Sequence, residues 1–104
     1  MNPDSKRHNE IISLIVKTCE SKKKLLLGYK IILFGSRARG FVKSRADFDI
    51  GILGKKPLSL ENYFILKDAF DNLPTLFHID LVDFSRTDRN FKDEALNNYQ
   101  LLYG

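Results

Sequence analysis

Two aspartates separated by a single residue, Asp47 and Asp49, begin an apolar run and are the residues of this chain best suited to chemistry. On a β-strand, residues two apart project from the same face, with Cα atoms about 7 Å apart. Carboxylates so placed can converge on a hard cation, and Mg²⁺ is commonly held by one or two carboxylates together with substrate phosphates. The pair predicts a Mg²⁺ site if the face is sheltered, and a solvated acidic face if the strand lies at an edge.

Asp80 is the predicted third member of this metal-binding and catalytic group. Side chains alternate along the apolar segment 76–84, and this alternation places Asp80 and His78 on the polar face of a strand. We interpret His78 as a polar surface residue. Neighbouring strands lie about 4.8 Å apart, so Asp80 can sit beside the aspartate pair. Asp83 falls on the opposite face and is predicted to mark the end of the strand.

A candidate phosphate-binding turn precedes the aspartate pair. Gly35 lacks a Cβ, so the backbone can approach a ligand closely, and Ser36 adds a hydroxyl and an N–H group. A glycine after a strand is more often a simple turn residue, so the prediction that this turn binds phosphate depends on the aspartates that follow it. Arg37 and Arg39 point in different directions within one turn, so at most one reaches the phosphates and the other faces solvent or a partner. Arg39 is the predicted nucleotide contact.

Three carboxylates, one or two Mg²⁺ ions and a phosphate-binding turn suit in-line displacement at the α-phosphate of a nucleotide. In such a reaction Asp80 could accept the proton of the incoming hydroxyl group. The sequence therefore predicts nucleotidyl transfer rather than simple binding.

The elements that must position these residues follow the order helix, strand, turn, strand, helix, strand, helix. Helices are predicted over 5–27, 58–72 and 88–103, the last alternatively a helix followed by an extended tail, and strands over 29–34, 47–53 and 76–84. The second helix should be capped by Ser59. Its predicted inward face comprises Leu60, Phe64, Ile65, Ala69 and Phe70.

The predicted fold class is α/β of the two-layer α+β type, with a small mixed sheet and helices packed on one face. Only about a dozen residues join the first two strands, which is the lower bound for a parallel crossover, so a mixed sheet is favoured over an all-parallel one. A chain of 104 residues with 43% hydrophobic content predicts a single domain, 1–104, without a separate substrate lobe.

A net charge of +4 favours anionic partners. Direct binding of nucleic acid is not expected, because the basic residues are not interleaved with aromatic ones, and Lys22, Lys23 and Lys24 most simply complement the end of the first helix.

The one cysteine, Cys19, is predicted to be a buried apolar side chain, and the lack of a partner for a disulfide indicates a reducing compartment. Neither a signal core nor a membrane span is apparent, so we predict a cytoplasmic protein without membrane contact.

Taken together, the motifs resemble one known family. The run Gly35-Ser36-Arg37-Ala38-Arg39-Gly40, a six-residue spacer, Asp47-Phe48-Asp49 and Ile79-Asp80-Leu81 resemble the minimal nucleotidyltransferases (MNT antitoxins) of the DNA polymerase β superfamily, usually paired with a HEPN protein. The resemblance covers 31–84. Ala46 stands where the family usually has serine, which removes no metal ligand.

This resemblance implies a polymerase-β-like nucleotidyltransferase fold, ATP as nucleotide donor, Mg²⁺, and an antitoxin that places AMP on a tyrosine of an all-helical HEPN toxin. So short a chain can hardly enclose an acceptor pocket alone, which favours a second protein completing the site. Assembly with a HEPN protein or with a second copy is compatible with this expectation. The alternatives are a non-catalytic module that neutralises a HEPN-type partner, and a stand-alone antibiotic nucleotidyltransferase, which would need an acceptor lobe.

Overall fold

The computed structural model describes residues 3–42 and 45–104. In chain order, these residues form α1 Pro3–Ser21, β1 Lys30–Phe34, α2 Gly35–Ala38, β2 Phe48–Leu53, α3 Leu60–Asp71, β3 Ile79–Asp83, α4 Arg89–Ala95 and β4 Gln100–Tyr103. No helix within these two ranges is both long and apolar enough to cross a bilayer.

The strands form one sheet in the order β3-β2-β1-β4. β1 is antiparallel to both β2 and β4, whereas β2 and β3 are parallel, so the predicted mixed sheet is confirmed. The fourth strand was not predicted, because 100–103 was assigned to the last helix or to an extended tail. This tail pairs with β1 and becomes an edge of the sheet, a contact between residues far apart in sequence.

The main core lies between one face of the sheet and the helices α1 and α3. Alternation in β2 works as predicted: Phe48, Ile50 and Ile52 are fully buried on this face. Across from them pack Ile15 and Cys19 of α1, and further members of the same cluster are Ile11, Leu26, Ile31, Leu33, Leu58, Leu66, Phe70, Ile79 and Leu81. The two long helices therefore share one face of the sheet, as expected.

A smaller apolar cluster covers part of the opposite face. Ile32 and Phe34 alternate with the core residues of β1 and pack with Phe84, and the end of α4 contributes Ala95 and Leu96. The ring of Phe91 in α4 lies 6.0 Å from that of Phe34. α4 thus adds a helix to the face that the prediction left without one, and it does so next to the end of β1.

The first helix is shorter than predicted. It ends at Ser21, and 22–28 form turns, so the three lysines follow the helix instead of occupying its last turn. Leu26 in these turns is buried in the main core, whereas Leu27 is exposed. Burial of Leu26 from a turn explains why its apolar character suggested a longer helix.

The predicted inward face of α3 is wrong for three of its five residues. Leu60 and Phe64 are 56% and 58% exposed and Ile65 is 39% exposed, while Phe70 is buried as expected and Ala69 is half-buried. The buried side is instead set by Leu66 and by Tyr63, whose hydroxyl donates to the Leu81 carbonyl over 2.7 Å. Helix α3 carries apolar residues on several sides, so periodicity alone could not predict which face is buried. The Ser59 cap is confirmed, since its side chain accepts from the Asn62 N–H group.

Cys19 is fully buried, as predicted, and burial raises the pKa of its thiol to about 12, with the nearby Glu20 charge adding to the shift. In the unfolded chain the thiol ionises from its ordinary value of 9.0. Between these two values ionisation favours the unfolded state, so the contribution of this thiol to stability is present below pH 9 and is lost as the pH rises towards 12.

We therefore expect the wild type to lose more free energy of unfolding than Cys19→Ala when both are taken from neutral pH to about pH 10. Urea titrations of the two proteins at both pH values measure this, and the difference between them cancels the lysines and tyrosines that titrate in the same range. Parallel pH profiles for the two proteins would contradict the prediction.

Candidate active site

The carboxylates of Asp49 and Asp80 lie side by side on adjacent strands. In the parallel register of β2 and β3, Asp49 is the direct partner of Asp80. Asp49 is partly buried and Asp80 is exposed. Burial, followed by the negative charges of Asp80 and Asp47, raises the pKa of Asp49, and His78 acts weakly in the opposite direction. Such like charges repel, so a cation between them would be stabilising.

Gly35 brings the backbone directly against Asp49. It begins α2 with φ of +73°, a conformation that favours glycine, and a Cβ at this position would overlap the Asp49 carboxylate. Any side chain at 35 would therefore displace Asp49. The predicted phosphate-binding turn and the predicted metal ligand are thus in contact, and the contact exists because residue 35 has no Cβ.

A cavity of about 480 Å³, the first cavity, opens over this contact. Five of the predicted site residues line it: Gly35, Ser36, Arg39, Asp49 and Asp80. The volume lies within the range of small-molecule sites. The structure therefore brings together the turn, one arginine and two of the three aspartates.

The opposite wall of the first cavity was missed by the sequence analysis. It comes from α4 and the turn after it, and it includes Phe91, Glu94, Ala95 and Asn98. Residues 91, 94 and 95 lie on one face of α4, and this i, i+3, i+4 spacing could be recognised in the sequence. What the sequence did not show is that this face would lie across from Gly35, because that depends on how α4 packs on the sheet.

Asp47 lies outside the first cavity. It precedes β2, is exposed, and lines a second cavity of about 630 Å³, together with Arg7, Arg45, Leu76, Phe77 and His78. Within residues 3–42 and 45–104, no three His, Cys, Asp or Glu side chains are grouped closely enough to hold a metal ion by themselves. The trio of metal ligands thus stays a prediction, while the paired carboxylates of Asp49 and Asp80 offer the oxygen donors that Mg²⁺ takes alongside substrate phosphates.

Arg37 has a role that the sequence analysis did not predict. Its side chain is buried, with 3% of the residue exposed, instead of facing solvent or a partner. Nε and Nη2 donate to the Ala46 carbonyl over 3.0 and 2.8 Å, and the guanidinium lies 3.8 Å from the centre of the Phe48 ring. Arg37 thus contacts the residues on both sides of Asp47, through the main chain of Ala46 and the ring of Phe48. Because the contact uses a main-chain carbonyl, alanine at 46 is sufficient for it.

His8 of α1 completes this buried cluster. Arg37 Nη1 donates to His8 Nδ1 over 3.0 Å, and the imidazole stacks on Phe48 with ring centres 5.4 Å apart. Arginine only donates, so Nδ1 must accept and the ring is neutral, with its proton on Nε2. Burial and the Arg37 charge accordingly lower the pKa of His8. The first helix is thereby tied to the segment that carries Asp47.

Comparison with known proteins agrees with this geometry. The family model "Polymerase beta, Nucleotidyltransferase" matches residues 13–104. The chain belongs to this nucleotidyltransferase family. It is 33% identical over 88 residues to the probable protein adenylyltransferase MntA of Haemophilus influenzae. The aligned residues cover 85% of this chain and 75% of that protein. The predicted family and enzyme class are therefore confirmed.

Solved structures show the same fold at lower sequence identity. A toxin-antitoxin crystal structure with AMP-PNP matches with a TM-score of 0.66 and 22% identity, covering 89% of this chain and 73% of the matched one. A tri-AMPylated Shewanella oneidensis HEPN toxin in complex with its MNT antitoxin matches with a TM-score of 0.57 and 21% identity, covering 97% and 72%. The predicted polymerase-β-like nucleotidyltransferase fold is confirmed.

Removing the Arg37 guanidinium should destabilise the fold. Arg37→Met would leave the Ala46 carbonyl and His8 Nδ1 without their donors, which we expect to lower the free energy of unfolding by about 2–4 kcal/mol. Urea unfolding measures the loss. As the control, Arg89→Gln changes a residue whose side chain is 92% exposed and should stay within about 0.5 kcal/mol of the wild type. Equal stability of the two variants would contradict the assigned role.

The lowered pKa of His8 predicts a loss of stability in acid. In the unfolded chain His8 takes up a proton near its ordinary value of 6.5, whereas the folded chain resists protonation, so its contribution is present above pH 6.5 and is lost as the pH falls below that value. His8→Gln keeps an acceptor for Arg37 but does not titrate, so its stability should fall less between pH 7.5 and about pH 5.5. Urea titrations at both pH values test this, and the same acid loss in both proteins would exclude His8 as its source.

Proposed function

We propose that this chain transfers AMP from ATP to a hydroxyl group of a partner protein and acts as the antitoxin of a HEPN-type toxin. The observation that carries the proposal is the pairing of Asp49 with Asp80 against Gly35 in one cavity. The adenylyltransferase name of the Haemophilus influenzae relative and the toxin-antitoxin complexes among the matched folds support the acceptor class.

The first cavity is the proposed ATP site. Gly35 and Ser36 would contact the phosphates through backbone N–H groups and the serine hydroxyl, while Arg39 supplies positive charge. Phe34 and Phe91 form an apolar wall against which the base or ribose could pack. These residues orient the α-phosphate toward the acidic pair.

The acidic pair fits a magnesium ion by its chemistry. Asp49 and Asp80 would hold Mg²⁺ together with the phosphates, and Asp47 is the predicted third ligand. When bound, Mg²⁺ neutralises phosphate charge and favours departure of pyrophosphate.

In the proposed reaction the acceptor oxygen bonds to the α-phosphorus, and the bond from that phosphorus to the bridging oxygen of pyrophosphate breaks. Asp80, the exposed carboxylate, takes the proton of the hydroxyl group. The products are an AMP ester of the acceptor and pyrophosphate. We further propose that 1–104 form one nucleotidyltransferase domain and that it works in the cytoplasm.

Intact-mass spectrometry tests the proposal directly. The chain is co-expressed with the HEPN-type protein that we expect an adjacent reading frame to encode, and the purified pair is incubated with ATP and Mg²⁺. We expect the partner to gain the mass of one or more AMP groups. Asp49→Asn should slow the transfer by about a hundredfold or more, because it removes a charge placed for the transition state.

The matched control is Asp68→Asn, which makes the same chemical replacement at an exposed carboxylate of α3. Asp68 lines neither cavity. It should transfer AMP at the wild-type rate. Transfer by Asp49→Asn at that rate would overturn the proposed chemistry, and so would the absence of any AMP increment on a partner that binds the wild type.

A second candidate function is neutralisation of the HEPN-type partner by binding alone. The position of Asp47 in the second cavity favours it, since only two of the three predicted ligands share a cavity. This candidate expects Asp49→Asn to relieve growth inhibition by the partner as well as the wild type does. Loss of neutralisation in Asp49→Asn, with complex formation retained, would exclude it.

A further inference from the structure

The second cavity has a lining unlike that of the first. Arg7 of α1 and Arg45 of the segment before β2 contribute two exposed guanidinium groups, and Leu76, Phe77 and His78 approach from the segment before β3. No ion pair joins either arginine to another residue within 3–42 and 45–104. Both cations are therefore available to an incoming anion.

The second cavity includes Asp47, a near neighbour in sequence of Asp49 in the first cavity. Asp47 and Asp49 are two residues apart, and Gly35 packs against Asp49 rather than Asp47. The acidic residues therefore run from the phosphate-binding turn at one end to the second cavity at the other. In an in-line displacement the nucleophile enters opposite the leaving group. With pyrophosphate at the turn, the nucleophile would enter from the Asp47 end.

We propose that the second cavity binds the acceptor segment of the partner protein and recognises carboxylate side chains that flank the acceptor hydroxyl. This inference rests on the proposed function. Arg7 and Arg45 suit carboxylates, because a guanidinium donates two parallel hydrogen bonds to them. Phe77 and the fully exposed Leu76 provide apolar surface for the remainder of the segment, including an aromatic acceptor such as tyrosine.

An acidic protein segment fits this lining better than a nucleic acid does. A nucleic acid carries a negative charge at every phosphate and is bound by several cations along its backbone. Here Asp47 adds a negative charge to the same lining as the two arginines, which opposes binding of a continuous polyanion. A peptide can place single carboxylates at the arginines and carry an uncharged hydroxyl group past Asp47 toward Asp80.

The test measures binding without catalysis, so it is independent of whether the chain proves to be active. Three probes of equal length are titrated against the wild type: the peptide Glu-Asp-Tyr-Asp-Glu, its neutral counterpart Gln-Asn-Tyr-Asn-Gln, and a single-stranded oligonucleotide. Binding is followed by amide chemical shifts in ¹⁵N NMR spectra. We expect the acidic peptide to bind about tenfold tighter than the neutral one at low salt, since each exposed ion pair contributes a few-fold. The amides of Asp47 and of 76–78 should shift most.

The double variant Arg7→Gln with Arg45→Gln should remove this preference for the acidic peptide. Its control is Lys56→Gln with Arg89→Gln, which lowers the net charge equally at exposed positions outside the cavity and should keep the preference. Equal affinity for both peptides, or the same loss in the control, would overturn the proposal. Oligonucleotide binding that depends on Arg7 and Arg45, without a preference for the acidic peptide, would assign the cavity to nucleic acid instead.

Discussion

The parallel register between β2 and β3 is the constraint on which the candidate active site depends. It sets Asp49 opposite Asp80, an arrangement of like charges that is unfavourable by itself. The same register pairs Phe48 with Ile79 and Ile50 with Leu81, all of them buried in the main core. A slip by one residue would turn these apolar side chains to the wrong face. Burial on one face therefore keeps the carboxylates together on the other.

Residues 35–39, the glycine-serine-arginine motif, include side chains that line the first cavity and one that stabilises the fold. Gly35 and Ser36 line the first cavity, and Arg39 joins them there. Arg37 instead turns into the protein, where it binds the Ala46 carbonyl and His8. This buried arginine links α1 and the segment before Asp47, so one short motif both forms the predicted phosphate-binding turn and positions the segment that leads to Asp47.

Two cavities lie along the acidic residues, and in the proposed reaction one would hold the nucleotide donor and the other part of the acceptor. The first cavity has the predicted phosphate-binding turn and an apolar wall from α4, which suit the proposed nucleotide site. The second has two cations and exposed apolar side chains, which suit the proposed acidic protein segment. Residues outside the motif complete both linings: α4 and the turn after it for the first cavity, and Arg7 of α1 together with 76–78 for the second. The two cavities thus leave room for a donor and for part of an acceptor.

The sequence by itself determined the order of the main elements, the alternation of β2 and β3, and the residue types of the site, because these depend on local periodicity and on motif spacing. Gly35, Ser36, Arg39, Asp49 and Asp80 could be predicted to meet from two strands and a turn. Only the tertiary structure decided that Arg37 is buried, that Asp47 faces the second cavity, that 100–103 form a strand, and which side of α3 is covered. Each of these outcomes depends on contacts between residues far apart in the chain, where burial and hydrogen bonding select among arrangements that local pattern leaves equal.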